Sequence, residues 1–477
     1  MITNLKPYPA YKDSGVPWLG EVPAHWEVLP GRAVFLAIND RGYPDEQMLS
    51  VTITRGVLRQ IDLLADSSKK DSSNEDKSNY KLVQPDDLVY NKMRAWQGAV
   101  GVSPYRGIVS PAYIVQRLRS PENLPRYMHF LLRTPLFASE AERWSHGITS
   151  DQWSLRAEEF KCIYFSIPPL PEQTAVVRFL DWADRRIRRA IRAKQKLVKL
   201  LEEYKQALIH QAVTGKIDVQ TGQPYPAYKP SGVEWLGEVP KHWEVLPGHR
   251  GFAVKKQPNV GLVETTVLSL SYGRVIVKPE EKLRALVPAS FETYQIVDPG
   301  DIVCRPTDLQ NDQHSLRFGL AESRGIITSA YLCFKTTERL DSHFGYLLLH
   351  TYDVKKIFYG LGSGLRQNLD WEDFKRLPCL IPPLPEQTAI AEYLDAQTAK
   401  IDTAIAAARR EIELLREYRE RLIADVVTGK VDVREVAAQL PEEPSEEDTP
   451  WTDEEERAQD EALNGEGDQA AIPEEDG

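Results

Sequence analysis

Two stretches of this chain carry apolar residues on a helical beat. Over residues 401–426, Ile401, Ile405, Ala408, Ile412, Leu415, Leu422 and Val426 fall on alternating four- and three-residue steps, interrupted by Arg419. Residues 187–212 match: Ile187, Ile191, Val198, Leu201, Leu208 and Ala212 hold the corresponding positions, and Lys194 and Lys205 interrupt. This spacing lays one apolar stripe along a helix. The interrupting lysines are expected to pack their stems and keep their ammonium groups at the edge. Pro171 and Pro385 stand just before the periodic runs and Gly215 and Gly429 just after them, suiting a first helical turn and a C-terminal stop. Each helix should run about 40 residues, or roughly 60 Å. A stripe that long needs a partner. Two helices of matched length predict an antiparallel coiled coil within the chain, with an intermolecular bundle as the competing arrangement.

Elsewhere the pattern shortens to turn-then-strand. QPDDLVY (84–90) and VDPGDIVC (297–304) each pair a Pro/Asp turn with an apolar run, and GIVSPAYIV (107–115) and GIITSAYLCF (325–334) follow at equivalent places. These correspondences belong to a larger duplication. YPAYKDSGVPWLGEVPAHWEVLPG at 8–31 returns at 225–248 with three mismatches in 24 positions, and IPPLPEQTA occupies 167–175 and again 381–389. Each IPPLPEQTA leads into one of the periodic runs, which end in Thr-Gly-Lys at 214–216 and 428–430. Matched frames around unmatched inserts suit a molecule that reads two different things with one shared geometry.

The inserts differ most at 91–106 and 305–324, which mix Arg and Lys with Asn, Gln, Ser and aromatics. Such side chains read base edges and hold phosphates. Lys92, Arg94, Trp96, Gln97 and Arg106 form the first candidate DNA-binding cluster, and Arg305, Gln310, Asn311, Gln313 and Arg317 the second. A further loop precedes each IPPLPEQ block and adds Ser150 and Gln152 in the first half and Arg366, Gln367 and Asn368 in the second. Any one of these residues is equally at home in an ordinary polar loop. Their placement as matching constellations is what favours DNA contact.

Charge fits once it is divided. Residues 435–477 carry 17 acidic side chains and one basic, so the net charge of −11 resolves into −16 there and +5 for the rest. The tail is too charged and too poor in apolar residues to offset its ordering entropy, and is read as a solvated, disordered segment. No stretch nears the roughly 18 apolar residues that span a bilayer, and no signal peptide is legible, so a cytoplasmic protein without membrane contact is expected. Cys162, Cys304, Cys333 and Cys379 show no CxxC spacing and are read as small buried hydrophobes. Trp18, Trp26, Trp235 and Trp243, with His25 and His242, recur in the repeated frame without a Cys or acidic partner at nucleophile or metal spacing, which points to packing. No phosphate-binding loop surrounds Gly215, where His210 and Ile217 break the pattern, and no adenine-methyltransferase tetrapeptide occurs. No catalytic, cofactor-binding or metal site is expected.

The duplicated VPWLGEVPAHWEV and VEWLGEVPKHWEV segments, the IPPLPEQTA blocks opening long helices that end in TGKID and TGKVD, and the inserts ending in SPAY and TSAY closely resemble the specificity subunits of type I restriction-modification systems. The resemblance runs to about Val433. It implies an α/β chain in which two globular target recognition domains are separated by two long antiparallel coiled-coil helices in an internal pseudo-two-fold repeat. The expected divisions are 1–170 (first frame and recognition domain), 171–216 (central helix), 217–384 (second frame and domain), 385–433 (C-terminal helix) and 434–477 (acidic tail). It also implies a non-catalytic subunit that binds double-stranded DNA, two methyltransferase subunits and, in the full complex, two restriction subunits. S-adenosylmethionine, ATP and Mg would belong to those partners. Each domain would read one half of a bipartite asymmetric target, and the helices would set the spacing and dock the methyltransferases. A specificity subunit serving a fused methyltransferase-nuclease, or a non-enzymatic scaffold, are the alternatives.

Overall fold

The computed structural model describes residues 5–53, 55–65, 76–147, 153–278, 291–312, 315–361 and 368–441. The two periodic runs are helices, Leu170–Val213 and Leu384–Val427, of 44 residues each. Pro171 and Pro385 lie in the first turn, where a missing N–H costs nothing. Both helices end at a glycine in the left-handed region, Gly215 at φ +69° and Gly429 at φ +78°. A side chain there would also collide with the repeated frame, since a Cβ would sit 2.4 Å from Pro240 Cδ at Gly215 and 2.3 Å from Pro23 Cδ at Gly429. The Thr-Gly-Lys motif is therefore both a stop and a seat for the frame.

Among the described residues the chain forms two compact units, one holding residues up to 194 together with 410–441, the other 195–409. The long helices do not stand as divisions of their own, because each unit takes one half from each helix. In the first unit Lys194 meets Glu411 at 2.6 Å and Arg419 meets Asp184. In the second, Arg409 meets Glu202 at 2.8 Å and Lys205 meets Asp402 at 2.6 Å. Index rises on one helix as it falls on the other, so the halves run antiparallel within each unit. All three residues that interrupt the apolar stripes thus find a carboxylate on the facing helix, while Ile187, Ile191, Val198, Ile401, Ile405 and Ile412 are buried. Burying such a side chain is worth about 1.5–3 kcal/mol, and the edge ion pairs far less.

The inserts share one topology. In the first unit a four-stranded antiparallel sheet runs in the order Phe35–Ile38, Tyr113–Leu118, Leu88–Asn91, Val100–Val102; in the second the order is Phe252–Lys255, Leu332–Thr336, Ile302–Cys304, Phe318–Leu320. The predicted turns precede their strands. In each an aspartate accepts from the backbone N–H three residues back, Gln84 to Asp87 at 2.8 Å and Asp298 to Asp301 at 2.7 Å. Short ribbons tie each frame to the strand before its helix, Glu27–Pro30 to Tyr164–Ile167 and Glu244–Pro247 to Pro378–Ile381.

Two expectations are corrected. Residues 434–441 are not a solvated tail: Arg434–Ala438 is a helix, Val433 and Ala437 are buried, and Arg178 donates to the Leu440 carbonyl. Val433, Val436, Ala437 and Leu440 repeat at helical spacing and pack on the first unit's core, which the acidic composition around them masked. Residues 442–477 lie outside the described residues. Of the cysteines, Cys304, Cys333 and Cys379 are buried but Cys162 is exposed. Among the described residues no helix is long and apolar enough to cross a membrane.

Candidate nucleic-acid interface

In the first unit the loop after Leu88–Asn91 is a compact turn. Asn91 Oδ1 accepts from the Met93 N–H at 3.0 Å, a 3-10 turn spans Ala95–Gln97, and Gly98 closes it at φ +91°. Ala95 is buried as the anchor, whereas Arg94 and Gln97 are exposed. Trp96 donates from Nε1 to the Met93 carbonyl at 3.0 Å and packs edge-on against Trp153, ring centroids 5.5 Å apart. The Leu155 N–H donates to the Lys92 carbonyl at 2.8 Å. The two predicted loops of this half are thereby brought together. Arg106 joins different neighbours, pairing with Glu46 at 2.7 Å beside the Tyr43 ring. Ser150 and Gln152 lie outside the described residues.

The second unit repeats the junction with other side chains. The Leu369 N–H donates to the Pro306 carbonyl at 2.8 Å, and the Asp308 N–H to Asn368 Oδ1 at 3.0 Å. Leu369 and Pro306 stand 214 positions after Leu155 and Lys92, the offset of the IPPLPEQTA blocks. Asn311 donates to Asp308 Oδ1 at 2.8 Å, and Arg305 pairs with Asp312 at 3.2 Å. Gln310, Asn311 and Asn368 are exposed. Arg317 corrects its expectation: its side chain is fully buried, with its guanidinium turned inward on main-chain carbonyls, and reaches no surface. Gln313, Arg366 and Gln367 lie outside the described residues.

Each repeated frame is fastened to its long helix by a buried carboxylate that the sequence did not single out. Glu172, in the first PPLPEQ, is 5% exposed at its side chain and accepts from the Tyr8 hydroxyl, from Trp26 Nε1 at 2.8 Å, and pairs with His25 Nε2 at 2.8 Å. Glu386 repeats these three contacts with Tyr225, Trp243 Nε1 at 2.9 Å and His242 Nε2 at 2.8 Å; Glu172 also has Arg434 Nη1 at 4.0 Å. The recurrent Trp and His of the frame thus do have an acidic partner, about a hundred and fifty residues away in sequence. Burial, with the adjoining carboxylate, pushes both tyrosine hydroxyls well above their ordinary range. A carboxylate engaged by three side chains is a structural acceptor rather than a free base. The neighbouring glutamines complete the lock. Gln173 accepts from the Leu124 N–H at 2.7 Å and donates to the Pro168 carbonyl at 2.9 Å; Gln387 accepts from Asp341 at 2.7 Å and donates to Pro382 at 2.7 Å.

The other buried polar groups also read as structural. Burial pushes the thiols of Cys333 and Cys379 up to about 12 and the His350 imidazole down to about 4, so these groups stay neutral near pH 7. Among the described residues no cluster of three His, Cys, Asp or Glu is placed to hold a metal.

The family described as the type I restriction modification DNA specificity domain matches residues 327–414. The chain is 23% identical over 451 residues to the putative type I restriction enzyme MjaX specificity subunit of Methanocaldococcus jannaschii, covering 87% of this chain and 96% of that one. A solved chain from a study of complex assembly and conformational transition of the type I R-M system has a TM-score of 0.61 at 14% identity, covering 85% of this chain and 98% of that one. The HsdS subunit from Thermoanaerobacter tengcongensis covers 87% of this chain and 98% of its own at 14% identity, with a TM-score of 0.49. At that identity the structural likeness of the former bears on the fold alone.

Proposed function

We infer, from a chain of the type I restriction-modification specificity family, a non-catalytic DNA reader that contacts one half of a bipartite, asymmetric target with each unit. The observation that carries this reading is the repeated junction. Leu155 to Lys92 and Leu369 to Pro306 fasten equivalent loop pairs with equivalent bonds, while the side chains presented differ: Arg94, Trp96 and Gln97 in one, Arg305, Gln310, Asn311 and Asn368 in the other. A fixed frame holding exchangeable polar loops supplies bidentate partners for base edges in the major groove. Lys92 and the exposed arginines supply phosphate contacts and salt sensitivity. A net charge of +5 outside the acidic segment is modest for a protein that holds DNA alone, which favours sharing the electrostatic work with partner subunits.

The long helices are the proposed ruler and dock. Their outer faces carry exposed apolar residues at matched positions, Leu170 with Leu384 and Leu200 with Leu414, giving two quasi-equivalent seats for two methyltransferase subunits. Two restriction subunits would complete the assembly. S-adenosylmethionine, ATP and Mg act on those partners, and the complex works in the cytoplasm. The test is binding by the complex reconstituted with its methyltransferase. Replacing Arg94 and Gln97 with Ala should relax recognition in one half of the motif, and replacing Gln310 and Asn311 with Ala should relax it in the other. A loss spread evenly over both halves in both variants would contradict the two-reader reading.

A further inference from the structure

Arg317 stands among the largest fully buried side chains of the protein. A buried guanidinium is costly unless each of its N–H groups is met, and this one has five donors with five acceptors. Nε donates to the Tyr359 hydroxyl at 3.4 Å, Nη1 to the carbonyls of Arg305 and Thr307 at 3.4 and 2.7 Å, and Nη2 to those of Asp308 and Asp312, at 3.3 Å for the former. Four of these acceptors belong to the single segment 305–312. The Tyr359 hydroxyl in turn donates to the Asp312 carbonyl at 3.1 Å, its ring lies 5.4 Å below the guanidinium, and Asp353 holds the Arg317 N–H at 2.7 Å.

Carbonyls drawn inward on one cation fix the path of the segment, and Asp308 adopts φ +62° within it. Gln310 and Asn311 are left outside. Among the described residues the first unit shows no buried arginine of this kind. Its strand Val100–Val102 is preceded by Ala99, and its shorter loop closes on local bonds, Gln97 N–H to the Arg94 carbonyl at 3.0 Å, Ala99 N–H to the same carbonyl at 3.1 Å and Trp96 Nε1 to the Met93 carbonyl at 3.0 Å.

We propose that Arg317 is the positioning residue of the second reader, holding 305–312 in the one shape that presents Gln310 and Asn311 to base edges, so that it sets discrimination at one half-site only. The inference rests on the reading of 305–312 as a recognition loop. Lysine cannot substitute, because its three donors on a single nitrogen cannot reach acceptors spread around a planar fork.

The experiment measures binding of the reconstituted complex to duplexes carrying one changed base pair in either half of its mapped motif, with melting temperature in parallel. A single mismatch ordinarily costs roughly 5- to 150-fold in affinity. In Arg317→Lys the penalty for mismatches in the second half-site should fall below about threefold, while that in the first stays at its wild-type value. Tyr359→Phe, which removes one hydroxyl and keeps the ring, should give a partial loss at the same half-site. It carries the test if Arg317→Lys does not fold. Full discrimination retained in Arg317→Lys, or in a folded Tyr359→Phe where it stands alone, overturns the proposal. So does an equal loss at both half-sites that follows melting temperature. The Gln310→Ala, Asn311→Ala double variant separates the two ideas. If it loses second-half discrimination while Arg317→Lys keeps it, the positioning role fails and the loop reading stands; if it loses none, the loop reading fails.

Discussion

Replacing Glu172 with Ala should unfold the first unit well before the second. The carboxylate accepts from Tyr8, 3% exposed, and Trp26, fully buried, and pairs with His25, whose side chain is 43% exposed. Orphaning a buried donor costs about 1–3 kcal/mol, so Tyr8 and Trp26 together cost about 2–6 kcal/mol, and His25, which reaches water, adds little. Against a domain stability of about 5–15 kcal/mol that is a large fraction. For a unit of this size it corresponds to roughly 2–4 °C per kcal/mol, hence a fall of about 5–20 °C. Glu172→Gln keeps an acceptor oxygen and should lose about 1 kcal/mol. Glu386→Ala is the internal control, with the same loss moved to the second unit and somewhat milder because that side chain is 17% exposed. Calorimetry of the full chain, with limited proteolysis to identify which half opens first, reads both. A shift of less than about 2 °C in Glu172→Ala, or the same half opening first in both alanine variants, would show that the carboxylate does not hold the frame.

Three further outcomes follow from the same geometry. In the second unit Asp218 bonds to Gln223 at 2.8 Å across the turn 219–222, and in the first the equivalent bond, also 2.8 Å, joins Asp432 to Lys6. Joining Asp432 to Lys6 through a copy of 219–222 and opening the chain in that turn should therefore leave motif specificity unchanged relative to a chain ended at Asp432, as methylation mapping would show; a changed motif would refute the equivalence. Burial raises the Asp353 carboxyl to about 6, above its unfolded value, so its protonated form favours folding and that contribution disappears as pH rises from about 4 through 6. Asp353→Asn should accordingly be more stable than wild type at pH 8, by up to about 3 kcal/mol, with the gap closing toward pH 4 in denaturant titrations; a pH-independent gap would contradict this. A four-residue helical insertion near Lys196 lengthens the helix by about 6 Å and should widen the unspecified gap of the methylated motif by one or two base pairs at roughly 3.4 Å each without changing either half; an unchanged gap with full activity would mean the helix is not the ruler.

The long helices were legible because their signal is local: a stripe, a proline and a glycine. The paired loops were legible through duplication, since equal positions in two frames imply equal places in two folds. The residues that lock the frame were not. Glu172 and Glu386 lie inside a motif that reads as a helix start, and nothing local reveals that a Tyr, a Trp and a His from far upstream close over them. Arg317 failed for the opposite reason. Composition places an arginine in a polar loop at the surface, and only the fold reveals that the loop wraps around it and satisfies all its donors. Cys162 and residues 434–441 repeat the lesson, because average character over a window says little about one side chain or one turn.

If two independent readers share one frame, exchanging a single insert should change one reader only. Residues 34–166 are replaced by the corresponding insert of a relative with a different target, and the complex reconstituted with its methyltransferase is mapped by methylation-sensitive sequencing. One half of the motif should become the donor's while the other half remains unchanged. A motif changed in both halves, or in neither with methylation intact, would contradict the independence of the two readers.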